Sequence, residues 1–199
     1  MRFNERVERV MRDGDKLVVC SDGHRTTVVD SVIAGLGILP ETAPAQSAGL
    51  QLENGIVVDR HLRTSNPDIF AAGDVANFFC TALDRRLRFE HEDNARAMGR
   101  IAGRNMAGEA ESYRHLPLFY SDLFDLGYEA VGDVDNCLKI VEDWVQKFRK
   151  GTIYYLARGH VRGVLLWNTW GLADRARDLI ASGREIPAAS LIGRLRDDA

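Results

Sequence analysis

The residues best suited to chemistry lie in the run Thr64-Ser65-Asn66-Pro67-Asp68-Ile69-Phe70-Ala71-Ala72-Gly73-Asp74. Its apolar stretch, Ile69 to Ala72, stops abruptly in a glycine and an acid. A buried strand built this way delivers a carboxylate to the carboxyl edge of an α/β sheet, where ligands of such folds sit. Gly73 lets a ligand approach the backbone without a Cβ in the way, and Asp74 can accept hydrogen bonds from hydroxyl groups. Many buried strands end in a Gly-Asp turn, so the pair gains weight only from its neighbours. Two further groups carry usable side chains: Phe89-Glu90-His91 ahead of a helical stretch, and Phe119-Tyr120-Ser121-Asp122. Taken singly, Glu90 complements a helix dipole, His91 is a polar residue near a helix start, and Phe119 and Tyr120 are core aromatics.

Other chemistry is sparse. His24, His61, His91, His115 and His160 show no metal-ligand spacing, and Cys20, Cys80 and Cys137 form no Cys-x-x-Cys pair. No nucleophile or acid–base dyad stands out. The nearest approach to a Gly-x-Gly-x-x-Gly turn is Gly35-Leu36-Gly37-Ile38-Leu39-Pro40, which leads into Thr42, Ala43 and Pro44. Prolines there cannot open a phosphate-binding helix, so the segment reads as a turn and the chain as one without a phosphate cradle.

The 199 residues are 45% hydrophobic, enough for a folded core of one domain or two small ones. A net charge of −3 argues against a general nucleic-acid binder. No apolar run is long enough to cross a membrane, and Met1-Arg2-Phe3-Asn4-Glu5-Arg6 is no signal peptide. The expected setting is cytoplasmic, with no membrane partner.

The elements that must position these residues follow from periodicity and turns. Val7–Met11, Leu17–Cys20 and Thr26–Val29, separated by Asp13-Gly14-Asp15 and Asp22-Gly23, predict an antiparallel meander feeding a buried run, Ser31–Ala34. A strand pair is expected around Asn54-Gly55, then a strand from Ile69, then an irregular stretch through Arg88. Glu90–Met106 should be a helix whose face of Ala95, Gly99, Ala102 and Gly103 lies close to whatever covers it. Helix-on-sheet packing explains that face, and so does a helix set against a cofactor. Gly108 stops the helix, and a domain boundary is expected by Ser112. Beyond it, Glu129–Val134, Cys137–Glu142, Thr152–Arg158 and Val161–Trp167 read as strands, with Gly159-His160 as the last hairpin turn. Leu172, Ala176, Leu179 and Ile180 mark an amphipathic helix stopped at Gly183. Trp144, Trp167 and Trp170 are assigned to packing or an interface, and Arg158, Arg162, Arg175 and Arg177 to a solvated face.

With its flank Thr-x-x-Pro-x-Ile-Phe-Ala, the Gly73-Asp74 run resembles the second flavin-binding motif of the pyridine nucleotide-disulfide oxidoreductase superfamily. Glu90-His91 resembles the Glu-His element of its apoptosis-inducing-factor-like and ferredoxin-reductase-like members, and Phe119-Tyr120-Ser121-Asp122 the segment opening their C-terminal domain. Gly151–Leu156 and Gly163–Asn168 look like the closing hairpin of the apoptosis-inducing-factor branch. Where that family often has Trp, this chain has Tyr120.

The resemblance implies α/β plus α+β architecture. Residues 1–40 end an NAD(P)H-binding domain, 41–112 form the C-terminal part of an FAD-binding domain, and 113–199 form an antiparallel reductase or interface domain. It implies hydride transfer from NAD(P)H through FAD to ferredoxin, quinone or oxygen. Gly73, Asp74, Glu90, His91, Ala95, Phe119 and Tyr120 are its cofactor-binding residues, Asp74 serving the ribityl chain of FAD. The chain alone should hold FAD weakly or not at all, working as part of a longer enzyme, with a complementing N-terminal chain, or as a homodimer. The other reading is a non-catalytic protein-interaction module.

Overall fold

Glycines and aspartates at the predicted turns divide the first 39 residues into three short strands. The computed structural model describes residues 2–196. Strands β1 (Val7–Asp13), β2 (Lys16–Ser21) and β3 (Arg25–Val29) form an antiparallel sheet in that order. Gly14 (φ 59°) supplies the left-handed turn that pairs Asp13 with Lys16, and a 3-10 turn over Asp22–His24 joins β2 to β3. Contacts group the residues up to Leu39 as one compact unit and those from Pro40 as another.

The run Ser31–Ala34 is not a strand. It is exposed, with Ile33 99% accessible, because no strand among the described residues pairs with it. Without a ladder to satisfy its backbone groups, an apolar run has no reason to stay extended and hidden.

Contrary to the expectation that the prolines bar a helix here, the second unit begins with a single helical turn, α1 (Ala43–Ser47), in which Pro44 occupies the first turn, where its missing N–H costs nothing. Strand β4 (Ile56–Val57) runs parallel to β5 (Ala76–Cys80), which turns back antiparallel into β6 (Arg85–Arg88). This hairpin replaces the irregular stretch expected through Arg88. Its driving force is the alternation of Ala76, Phe78 and Cys80 into the core with Phe79 exposed. Ile69–Ala72 is extended but not a full strand: Phe70 makes one bridge, to Arg63.

Helix α2 (Glu92–Met106) starts two residues later than expected. Asn94, Met98, Ala102 and Asn105 face the core, one helical stripe away from the small-residue face that the sequence suggested. Only Ala102 of that face is buried; Gly99 and Gly103 are exposed with open space above them.

Five antiparallel strands follow: β7 (Leu118–Leu123), β8 (Leu126–Gly132), β9 (Lys139–Gln146), β10 (Lys150–Ala157) and β11 (His160–Trp167), ordered β7-β8-β11-β10-β9. The last hairpin turns at Arg158-Gly159, one residue earlier than expected, since Ala157 pairs with His160 and both turn residues have positive φ. Helix α3 (Ala173–Ala181) buries Ala173, Ala176, Leu179 and Ile180 against β8 and β11. Trp167 stacks on Tyr128 with ring planes 7° apart.

Candidate functional site

Gly73 opens a 3-10 turn, Gly73–Val75, that carries the chain from Ala72 into β5. Its φ of 79° is the conformation that glycine adopts freely and other residues resist. A Cβ at 73 would meet only the Cβ of Ala95, 3.6 Å away, so the turn lies directly against the start of α2. Behind it, the carbonyl of Val75 leaves no room for a side chain at Gly55: a Cβ there would stand 2.4 Å from that oxygen.

Asp74 is exposed, and its carboxylate makes no hydrogen bond or ion pair among the described residues. Its backbone is fixed instead: Arg88 Nη1 donates to the Asp74 carbonyl at 3.1 Å and pairs with Glu90 at 2.5 Å. Arg88 is only 12% exposed and carried no signal in the sequence; the last residue of β6, it meets Asp74 through the hairpin alone.

His91 is the N-cap position of α2, extended and without a capping bond. Its ring meets Tyr120 edge-on with centroids 4.7 Å apart. Its Nδ1 is buried without a partner, which costs about 1–3 kcal/mol if left so. Phe119 and Tyr120 point to opposite faces of β7: Phe119 packs against Phe89 and Tyr128, while Tyr120 is half exposed beside His91. Of these two aromatics, Tyr120 is the one whose ring meets His91. Gly73, Asp74, Glu90, His91, Ala95 and Tyr120 thus gather at the head of α2 from three separate segments, with Phe119 behind them.

Sequence reasoning missed a second cluster. Asp93 Oδ2 accepts from His115 Nε2 at 2.6 Å, from Leu118 N at 3.1 Å and from Arg177 Nη2 at 3.0 Å. Arg177 also donates from Nε to the Leu116 carbonyl at 2.9 Å and from Nη1 to Asp174 at 2.7 Å. Burial works against the Asp93 charge, but the hydrogen bonds from His115 and Leu118 and the His115 and Arg177 charges outweigh it and hold the carboxyl at about 2. Arg177 is therefore not on the solvated face expected for it, and is only 18% exposed. Arg162 donates to the Leu83 carbonyl, and Arg175 to those of Arg194 and Arg196. These cations pair with the ends of elements remote in sequence, which periodicity does not reveal.

The residues at the head of α2 fit a flavin dinucleotide. An acid has free acceptor oxygens, a glycine leaves the backbone open, an imidazole nitrogen is orphaned, and Gly99 and Gly103 leave the neighbouring helix face bare. Among the described residues no group of His, Cys, Asp and Glu could hold a metal ion.

Two family models match the chain: "Pyridine nucleotide-disulphide oxidoreductase" over residues 1–99, and "Apoptosis-inducing factor, mitochondrion-associated, C-term" over residues 102–147. The chain belongs to the pyridine nucleotide-disulphide oxidoreductase family. It is 36% identical over 189 residues to mitochondrial apoptosis-inducing factor 1 of Dictyostelium discoideum, covering 87% of this chain and 35% of that protein. It is 40% identical over 115 residues to putidaredoxin reductase of Pseudomonas putida, covering 58% of this chain and 27% of that one. The covalent putidaredoxin reductase–putidaredoxin complex contains a similar structure, with a TM-score of 0.81, 28% identity, and coverage of 96% of this chain and 46% of that one. The chain thus spans about a third of the two curated relatives' length. Among the described residues no helix of this family member is long and apolar enough to cross a membrane.

Proposed function

We propose that this chain supplies the flavin edge and closing domain of an NAD(P)H oxidoreductase, which passes hydride from NAD(P)H through FAD to an electron acceptor. The observation that carries this reading is the convergence of Gly73-Asp74, Glu90-His91 and Tyr120 on the first turn of α2. When bound, FAD supplies the hydride-accepting chemistry; protein groups bind and orient it. Asp74 accepts hydrogen bonds from the ribityl hydroxyls, and Gly73 keeps the backbone open beside them. Arg88 holds the Asp74 backbone and the Glu90 carboxylate in fixed relation. His91 and Tyr120 form the wall that excludes water on the side of β7.

No Gly-x-Gly-x-x-Gly turn occurs in these 199 residues, so the pyrophosphates of FAD and NAD(P)H must be held by other residues, in a longer chain or a complementing one. An acceptor of the ferredoxin type is favoured by the likeness to putidaredoxin reductase. The test has two arms. The chain alone, mixed with FAD and desalted, should show no flavin bands; stoichiometric flavin would overturn that expectation. Co-expressed with a chain carrying two Gly-x-Gly-x-x-Gly turns, it should retain flavin, and Asp74→Ala should lose it. Failure to retain flavin with the partner present, or indifference to Asp74→Ala, sinks the reading.

A second reading, a non-catalytic interaction or dimerisation module, draws on one end of the five-stranded sheet. There Leu123, Phe124 and Phe148 are 65%, 99% and 64% exposed on two turns joined by the Arg149–Asp125 pair. A flavin-free chain that dimerises through these residues, and loses the dimer in Phe124→Ser, would favour it.

A further inference from the structure

Asp93 lies two residues after His91, and Leu118 two residues before Tyr120. The hydrogen bond from Leu118 N to Asp93 Oδ2, 3.1 Å long, therefore ties the first turn of α2 to the first residue of β7. It does so at the same offset from both members of the His91–Tyr120 pair. A helix and a strand joined at one point can still pivot about it. Here the pivot is closed by His115 Nε2 on the same oxygen and by Arg177 Nη2 on both carboxylate oxygens at 3.0 Å. Arg177 also holds the carbonyl of Leu116, two residues before Leu118, so one guanidinium of α3 fixes both the acid and the segment leading into β7. Charge-assisted bonds of this kind are short, directional and about twice as strong as neutral ones.

We infer that Asp93 is a positioning residue: through Leu118, His115 and Arg177 it sets the distance between His91 and Tyr120, and hence the width of the wall against which the flavin–nicotinamide edge lies. The functional half of this statement rests on the flavin reading given above; the geometric half does not. The resting arrangement is built in advance, since all four donors and acceptors are satisfied within the chain. The lowered pKa of Asp93 accords with this, because the bonds go to its charged form. The Asp93 side chain bonds to His115, Leu118 and Arg177 and to neither His91 nor Tyr120, so its action on that pair is indirect.

The experiment uses the full 199-residue chain, labelled for NMR, without flavin. In the parent, nuclear Overhauser contacts between the His91 and Tyr120 rings should be strong, and the Leu118 amide proton should resonate downfield. In Asp93→Ala the Leu118 amide should move upfield and the ring contact should weaken several-fold, while far-UV circular dichroism stays unchanged. In Asp174→Asn, which takes a partner from the outer face of Arg177, both signals should remain. If Asp93→Ala does not fold, Asp93→Asn is read in its place, with the same expectation for the ring contact. A Leu118 amide that moves while the His91–Tyr120 contact keeps its parental strength would overturn the inference. So would loss of the contact in Asp174→Asn to the same extent. Because no flavin is present, a failure of the flavin reading leaves this outcome unaffected, and the two can be told apart.

Discussion

Replacing Gly73 by alanine separates what the chain requires at this corner from what a ligand requires. The added methyl meets only Ala95 Cβ, at 3.6 Å, an ordinary van der Waals distance, so packing sets no penalty. The cost comes from φ of 79°, which for a residue with a Cβ is roughly 1–2 kcal/mol. Alanine also stiffens the unfolded chain, which returns about 0.4–1 kcal/mol. The net loss should be about 1 kcal/mol, and for Gly73→Asn smaller, because asparagine tolerates the left-handed region. Urea unfolding of the flavin-free chain measures this: with a slope of about 2 kcal/mol per molar, the midpoint should fall by about 0.5 M for alanine and less for asparagine. On the proposed flavin reading, both substitutions should lower flavin retention when the complementing chain and FAD are present, since each adds a side chain where the backbone is to stay open to the ligand. A loss above about 3 kcal/mol without flavin would mean that the methyl meets more than Ala95, refuting the steric part of the reasoning. Equal losses for alanine and asparagine would refute the conformational part.

Asp93→Asn should cost about 2 kcal/mol at neutral pH, since a carboxyl held at about 2 against an ordinary value near 3.8 stabilises the fold by that order. The sign follows from the depressed value: the stabilisation is complete above about pH 4 and disappears as pH falls through about 2, so parent and variant should converge in acid unfolding curves. Tyr113→Phe removes the hydroxyl that donates to the fully buried Asn94 Oδ1 at 2.8 Å, and should lower stability by about 1–2 kcal/mol in the same urea assay. Its edge-to-face contact with Phe78, at 5.2 Å, should persist, leaving near-ultraviolet dichroism close to that of the parent.

Local signals settled much of this molecule. The turns at Gly14 and Gly23, the strands β10 and β11, and the stripe of Leu172, Ala176, Leu179 and Ile180 appear close to where their periods and breakers place them. By contrast, β8 and β9 are shifted from Glu129–Val134 and Cys137–Glu142, and β7 was not expected as a strand. Ser31–Ala34 failed because a buried parallel strand is defined by its neighbours, and periodicity cannot supply them. The hairpin β5–β6 was missed because arginines in its second strand hide the alternation: Arg86 spends its guanidinium on the carbonyls of Val58 and Asn77.

Residue types and order alone determined that an acid follows a glycine after an apolar run, that an imidazole and a tyrosine stand near a helix and a strand start, and that no Gly-x-Gly-x-x-Gly run occurs in these residues. Tertiary structure decided which of these meet. It set Tyr120, and not Phe119, beside His91, because neighbours on a strand face opposite ways. It brought Arg88 under Asp74 and Arg177 onto Asp93, pairings separated by 14 and 84 residues. Charges find partners through space, and spacing along a chain carries no record of that distance.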